Sequence, residues 1–359
     1  MPNLFDPLEL RSVTLRNRIG LSPMCTYSAQ DGLPGDWHLM HYGARAIGGC
    51  GLVMTEATAV EPRGRISLGD TGLWNDDHVC RWRKVNRMIK ELGAVPAVQL
   101  AHAGRKAGTH TPQTGKGPLD DSSAWDTVAP SSIKFDDGWR TPGELSTGEV
   151  ENLLNAWGDA ARRARAAEFE ALELHMAHGY LLHEFLSPHS NQRTDEFGGS
   201  LEGRMRFPLM VVQQVRLEWP DNLPLLVRIS ATDWTEDGWS LDDSIVFAGQ
   251  LRENGVDLID CSSGGIIPQG SQTGVAINAE PGYQVEFADK VRREAEIPTA
   301  AVGLIADPRQ ADGIISEERA DLVMMGRALL RNPHWALYAA QELGIRIDWP
   351  LQYERARPS

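Results

Sequence analysis

Cysteine is scarce: the four in 359 residues, Cys25, Cys50, Cys80 and Cys261, lie far apart and form no CxxC pair. That spacing excludes a disulfide scaffold and a cysteine zinc ribbon, and it suits a reducing compartment. Positive charge is also short, with 35 Lys and Arg against 49 Asp and Glu and a net charge of −14. Without a local basic patch such a surface repels phosphate backbones, so no nucleic-acid partner is expected. Long apolar runs are missing too. The longest nearly apolar stretch, Ile297 to Ala306, is about half of what a membrane-crossing helix needs. Met1-Pro2-Asn3-Leu4-Phe5-Asp6 shows neither the basic nor the apolar region of a signal peptide. A cytoplasmic protein with no membrane partner is the expectation.

What is present is alternation. Eight short β-branched or Leu-rich runs recur: Ile19–Leu21, Leu52–Thr55, Val95–Leu100, Ala171–His175, Leu225–Ile229, Leu258–Cys261, Thr299–Val302 and Leu322–Met325. Amphipathic stretches separate them, at 38–47, 77–92, 149–168, 201–218, 242–254, 284–294, 308–316 and 334–343. Ser146-Thr147-Gly148-Glu149 reads as a capping box opening the third of these. Strands buried on both faces and joined by helical crossovers predict a single α/β domain over residues 1–359, a parallel (β/α)8 TIM barrel. A doubly wound sheet is the rival, weakened because no G-x-G-x-x-G follows the first strand. One connection is anomalous. Residues 102–145 are rich in Gly, Pro, Ser, Thr and Asp, without helical period, and follow the third strand's C-terminal end. A cap over an active site is expected there, with a plain surface excursion as the alternative.

Barrel sites lie at the C-terminal ends of strands, so the polar residues there are the candidates. They are Ser22-Pro23-Met24-Cys25-Thr26-Tyr27 after strand one, Glu56-Ala57 after strand two, and Gln99 to His102 at strand three. His175, His178 and Tyr180 follow strand four, Arg228 lies inside strand five, and Gly326-Arg327 follow strand eight. His175 and His178 lack the Glu and third ligand of a zinc site, so no metal is expected. They read either as satisfied core histidines or, with Tyr180, as a site that binds a carbonyl oxygen and delivers a proton. Arg228 calls for an anion, either an internal carboxylate or a charged cofactor ring. Gly303, Gly326 and Arg327 match the barrel phosphate site. Cys25 by itself reads as a small buried hydrophobe. A barrel aldolase or isomerase acting on a sugar phosphate would want a lysine at a strand end, and the eight ends offer none. A protein that binds its ring cofactor without catalysis is the other rival.

Ser22–Tyr27, Glu56-Ala57, Gln99-Leu100-Ala101-His102-Ala103-Gly104-Arg105-Lys106, Glu173–Tyr180, Phe185–Pro188, Asn191–Gly199 and Asp321–Arg331 together resemble the Old Yellow Enzyme family of flavin-dependent ene-reductases. Cys25 with Tyr27, and Gln352-Tyr353-Glu354-Arg355 near the end, are similar to its thermophilic-like branch, related to xenobiotic reductases. The resemblance implies non-covalent FMN at the barrel mouth and NADPH or NADH as hydride donor. It implies ping-pong reduction of an α,β-unsaturated carbonyl through flavin N5. His175 and His178 would hold the substrate oxygen and Tyr180 would protonate the α-carbon. Ser22, Pro23, Met24, Cys25, Ala57, Gln99 and Arg228 would contact the flavin ring, and Tyr27 the substrate. The tail over 346–359 would reach a neighbouring subunit of a homodimer or dimer of dimers, placing Arg355 in that neighbour's pocket.

Overall fold

A computed structural model of the chain describes residues 1–268 and 277–357, so Pro358 and Ser359 of the expected tail lie outside the described residues. Eight parallel strands close into a barrel: β1 (Ile19–Leu21), β2 (Leu52–Ala59), β3 (Val95–Ala101), β4 (Ala171–Met176), β5 (Leu225–Ser230), β6 (Leu258–Ser262), β7 (Thr299–Ala301) and β8 (Leu322–Met325). These are the eight runs read from the sequence, so the barrel stands and the doubly wound sheet falls. The flanking helices are α1 (Asp36–Ile47), α2 (Asp77–Glu91), α3 (Thr147–Ala166), α4 (Leu201–Glu218), α5 (Leu241–Glu253), α6 (Val285–Glu294), α7 (Pro308–Ser316) and α8 (Trp335–Glu342). Ser146 caps α3 as expected, its backbone N–H donating to Glu149 at 2.9 Å while Glu149 N–H donates back to its hydroxyl. Among the described residues no helix is long and apolar enough to cross a membrane.

The period of two along a strand sets what fills the barrel. Leu52, Met54, Ala97, Ala171, Leu226, Leu258, Ala300, Leu322 and Met324 form one buried apolar cluster with Leu8, Leu10, Val13 and Leu15. The last four belong to an N-terminal hairpin, Leu8–Leu10 paired with Val13–Leu15, whose three-residue strands carry too few positions for a sequence signal. Two residues further along the same strands come Gln99, Glu173, Arg228 and Asp260, with Gln99 in register with Glu173 and Arg228 with Asp260. The barrel is therefore apolar at its closed end and polar beneath its mouth. A second, larger core lies between strands and helices, anchored by Trp82, Trp157, Trp219 and Phe247. Three short features were also missed: a 3₁₀ turn at Gly104–Lys106 inside the excursion, and helices at Leu181–Leu186 and Arg327–Arg331. Each is too short to show a period.

Candidate active site

A cavity of about 380 Å³ opens at the mouth, lined by Ser22, Pro23, Met24, His178, Arg228, Ser262, Gly303, Gly326 and Arg327 among others. Gly303 has φ +133°, a conformation other residues rarely adopt. A Cβ there would also lie 3.2 Å from Gln284 Nε2, and one on Gly326 would lie 3.2 Å from Met24 Sδ. The glycines expected at the phosphate end thus keep the cavity floor open. Ser22 Oγ is buried without a hydrogen-bond partner.

Below lies the polar layer. Gln99 Nε2 donates to Glu173 Oε1 at 2.8 Å, leaving Glu173 Oε2 unpartnered. Arg228 Nε stands 3.2 Å from Asp260 Oδ2, an ion pair that lacks the geometry of a hydrogen bond. Of the two expectations for Arg228 the internal carboxylate is present, and the side chain also lines the cavity. Burial, and after it the Asp260 charge, raises the Glu173 carboxyl above the usual range; burial likewise raises Asp260 while Arg228 opposes it. Sequence reading singled out Arg228 but gave no role to Glu173 or Asp260. The same signal marked them, a charged residue inside an apolar strand run.

β4 and the turn after it bring His175, His178 and Tyr180 together. The His175 ring centroid is 5.1 Å from that of His178 and 5.1 Å from that of Tyr180, both edge-on. Ala177 N–H donates to His175 Nδ1 at 3.3 Å, which assigns the proton to Nε2. His178 Nε2 lies 2.7 Å from Ser262 Oγ, a hydroxyl that can donate to this nitrogen or accept from it. Burial, then the charge of Arg228, holds both imidazoles well below their ordinary pKa. Burial raises the Tyr180 phenol well above 10, so it keeps its proton.

The segment after β1 is fastened from behind. Glu56 accepts Thr26 N–H at 2.9 Å and Thr26 Oγ1 at 2.7 Å, and His38 Nε2 sits 3.2 Å from the same buried carboxylate. A β-bulge between Met54 and Ala57 aims Glu56 this way and leaves Ala57 opposite Gln99. Cys25 keeps some open surface, yet desolvation within the deep mouth, with Asp70 and Glu56 nearby, pushes its thiol up. Burial pushes Tyr27 to about 12.

One placement differs from expectation. The reading that no strand end offers a lysine is corrected: Lys106, beyond β3, donates from Nζ to His178 O at 2.7 Å and to Gly265 O at 3.0 Å. It was overlooked because a 3₁₀ turn, absent from the sequence reading, folds it back to the mouth. Its commitment to two carbonyls argues against a Schiff-base role. Arg355 stands apart from this chain's own mouth, exposed in the 3₁₀ segment Leu351–Ala356, where Tyr353 lies 5.4 Å from the His334 ring.

A parallel barrel whose mouth combines an open glycine floor, arginines and neutral histidine donors defines a barrel protein built to bind an anionic ligand or cofactor. The family model described as NADH:flavin oxidoreductase / NADH oxidase matches residues 3–345, and the chain belongs to that family. The chain is 47% identical over 354 residues to the NADPH dehydrogenase of Geobacillus thermodenitrificans and 46% identical to that of Bacillus subtilis, in each case covering 98% of both proteins. It is also similar to morphinone reductase in complex with tetrahydroNAD, with a TM-score of 0.78 and 27% identity, covering 98% of this chain and 93% of that one. The protein is thus an oxidoreductase that works with FMN and a reduced nicotinamide, as the sequence resemblance implied. The mouth fits FMN on its own terms. The buried, unpartnered Ser22 Oγ and the Arg228 guanidinium line the cavity and offer a polar edge for the ring, and the Gly303–Gly326 floor with Arg327 suits its phosphate.

Proposed function

We propose that the protein is an ene-reductase, reducing the activated C=C bond of α,β-unsaturated carbonyl compounds with electrons from NAD(P)H. The carrying observation is that two neutral imidazoles and one protonated phenol stand side by side at the end of β4, the His175 ring 5.1 Å from each of the other two. His175 Nε2–H and the ring N–H of His178 donate to the substrate's carbonyl oxygen and stabilise the negative charge that gathers there. Tyr180 O–H gives its proton to the α-carbon. Bound FMN supplies two-electron hydride exchange with the nicotinamide and the alkene. Ser22, Pro23, Met24, Cys25, Ala57, Gln99 and Arg228 hold the flavin ring, Gly303, Gly326 and Arg327 its phosphate, and Tyr27 meets the substrate. The excursion over 102–145 serves as a cap for this site, in an otherwise single-domain barrel.

Anaerobic stopped-flow spectroscopy tests the reading. NADPH should bleach the flavin absorbance of the purified protein, and cyclohexenone should restore it. Tyr180→Phe should leave bleaching near normal and slow recovery about 10²-fold, within the usual range for losing a general acid. Recovery no faster with enone than with buffer, or equal damage to both half-reactions in Tyr180→Phe, would refute the assignment.

A further inference from the structure

The turn that carries His178 and Tyr180 is held in a conformation it would not adopt alone. His178 has φ +60° and Gly179 φ +70°, both left-handed. A non-glycine residue there persists only where its surroundings impose it. Four bonds do so. His178 N–H donates to Ser230 Oγ at 2.9 Å, and Gly179 N–H donates to His183 Nδ1 at 2.8 Å. His183 Nε2 in turn faces Asp233 Oδ1 at 2.9 Å, with both side chains fully buried. The His178 carbonyl is taken by Lys106 Nζ, which also takes the Gly265 carbonyl and so ties the turn to the loop after β6. Gly265 lies against the turn so closely that a Cβ on it would be 2.6 Å from His178 backbone atoms.

Lys106 does one thing more. Its ammonium lies 5.0 Å from the Tyr180 ring centroid and 4.7 Å from that of Phe135, which brings the expected cap over it. The charged neighbours facing it are Arg105 and the buried Glu184, whose carboxyl accepts Arg105 N–H at 2.9 Å. We infer that Lys106 is a positioning residue for proton delivery, clamping the His178–Tyr180 turn and setting a cation against the face of the donor phenol. The electrostatic half rests on the ene-reductase reading; the clamping half does not. When the Tyr180 O–H bond breaks and a C–H bond forms on the substrate, the electron pair left behind makes a phenolate, and the ammonium stabilises it until solvent returns a proton.

Lys106→Met in the FMN-loaded enzyme, compared with Lys106→Arg, provides the test. Displacement of the turn should slow the limiting rate of flavin reoxidation by cyclohexenone about 10²-fold with little change in the half-saturating enone concentration. Bleaching by NADPH should be far less affected, and Lys106→Arg, with charge and donors intact, should regain about tenfold of the loss. Independently of turnover, hydrogen exchange at residues 178–180 should quicken in Lys106→Met and not in Lys106→Arg. Unchanged exchange overturns the inference whatever the kinetics; changed exchange with an unchanged reoxidation rate overturns the electrostatic half. A wild-type flavin that no enone reoxidises defeats the functional reading instead, and exchange then decides the clamp. Should Lys106→Met not fold, Lys106→Gln, which retains one donor without charge, takes its place in both measurements.

Discussion

A histidine in water exchanges its proton near pH 6.5, but His175 and His178 sit where burial and Arg228 both oppose a second positive charge. A lowered base pKa means that the charged form appears only at acid pH, so both rings remain neutral N–H donors through the physiological range. The enone half-reaction should therefore show no step as pH falls through about 6.5. Stopped-flow reoxidation measured across that range checks this, and a sharp rise toward acid, as an imidazolium clamp would give, would contradict it. The sequence named both histidines and Tyr180, because three such groups at one strand end are costly unless something uses them. It did not show which nitrogen of each ring bears the proton. For His175 that is decided by Ala177 N–H, and His178 finds its partner in Ser262 Oγ, on a strand 84 residues distant.

Elements owe their positions to short-range rules that the chain states openly. Short β-branched or Leu-rich runs, amphipathic stretches, an S-x-x-E capping box and Pro or Gly punctuation located all eight barrel strands and their helices to within a few residues. What local rules leave out is how one turn leans on another. Gly179 has φ +70°, and a Cβ on it would sit 2.1 Å from Gly265 O, which is backbone and cannot swing aside. Gly179→Ala should accordingly destabilise the protein by about 2–4 kcal/mol, the left-handed penalty plus the displacement of the Gly265 loop. Thermal unfolding gives the answer directly: a melting temperature within experimental error of wild type would mean that the two loops separate freely.

At the scale of the whole molecule, Arg355 is the site candidate that this chain does not bring to its own mouth. It is exposed near the end of a segment that leans on His334 and, with Tyr353, presents residue types enriched at interface hot spots. The resemblance to the thermophilic-like branch places such an arginine in a neighbouring subunit's pocket, which demands a self-complementary dimer or a dimer of dimers. Light scattering at micromolar concentration should then show a dimer or larger. Arg355→Ala should raise the enone KM about tenfold, the equivalent of roughly 1.4 kcal/mol. A monomer, or an unaltered KM, would remove Arg355 from the substrate pocket.

By itself the sequence determined the barrel, the strand ends, the histidine–tyrosine constellation and the family, because periodicity, caps and motif residues are local properties of a chain. Only tertiary structure decided the partnerships. Arg228 meets Asp260 because β5 and β6 run in register, and Glu173 meets Gln99 because β4 lies beside β3. Lys106 reaches the His178 carbonyl because a 3₁₀ turn returns the chain to the mouth after β3. Each of these contacts joins residues 32 to 74 positions apart. No spacing rule spans such distances, since strand order and register are fixed only when the barrel closes.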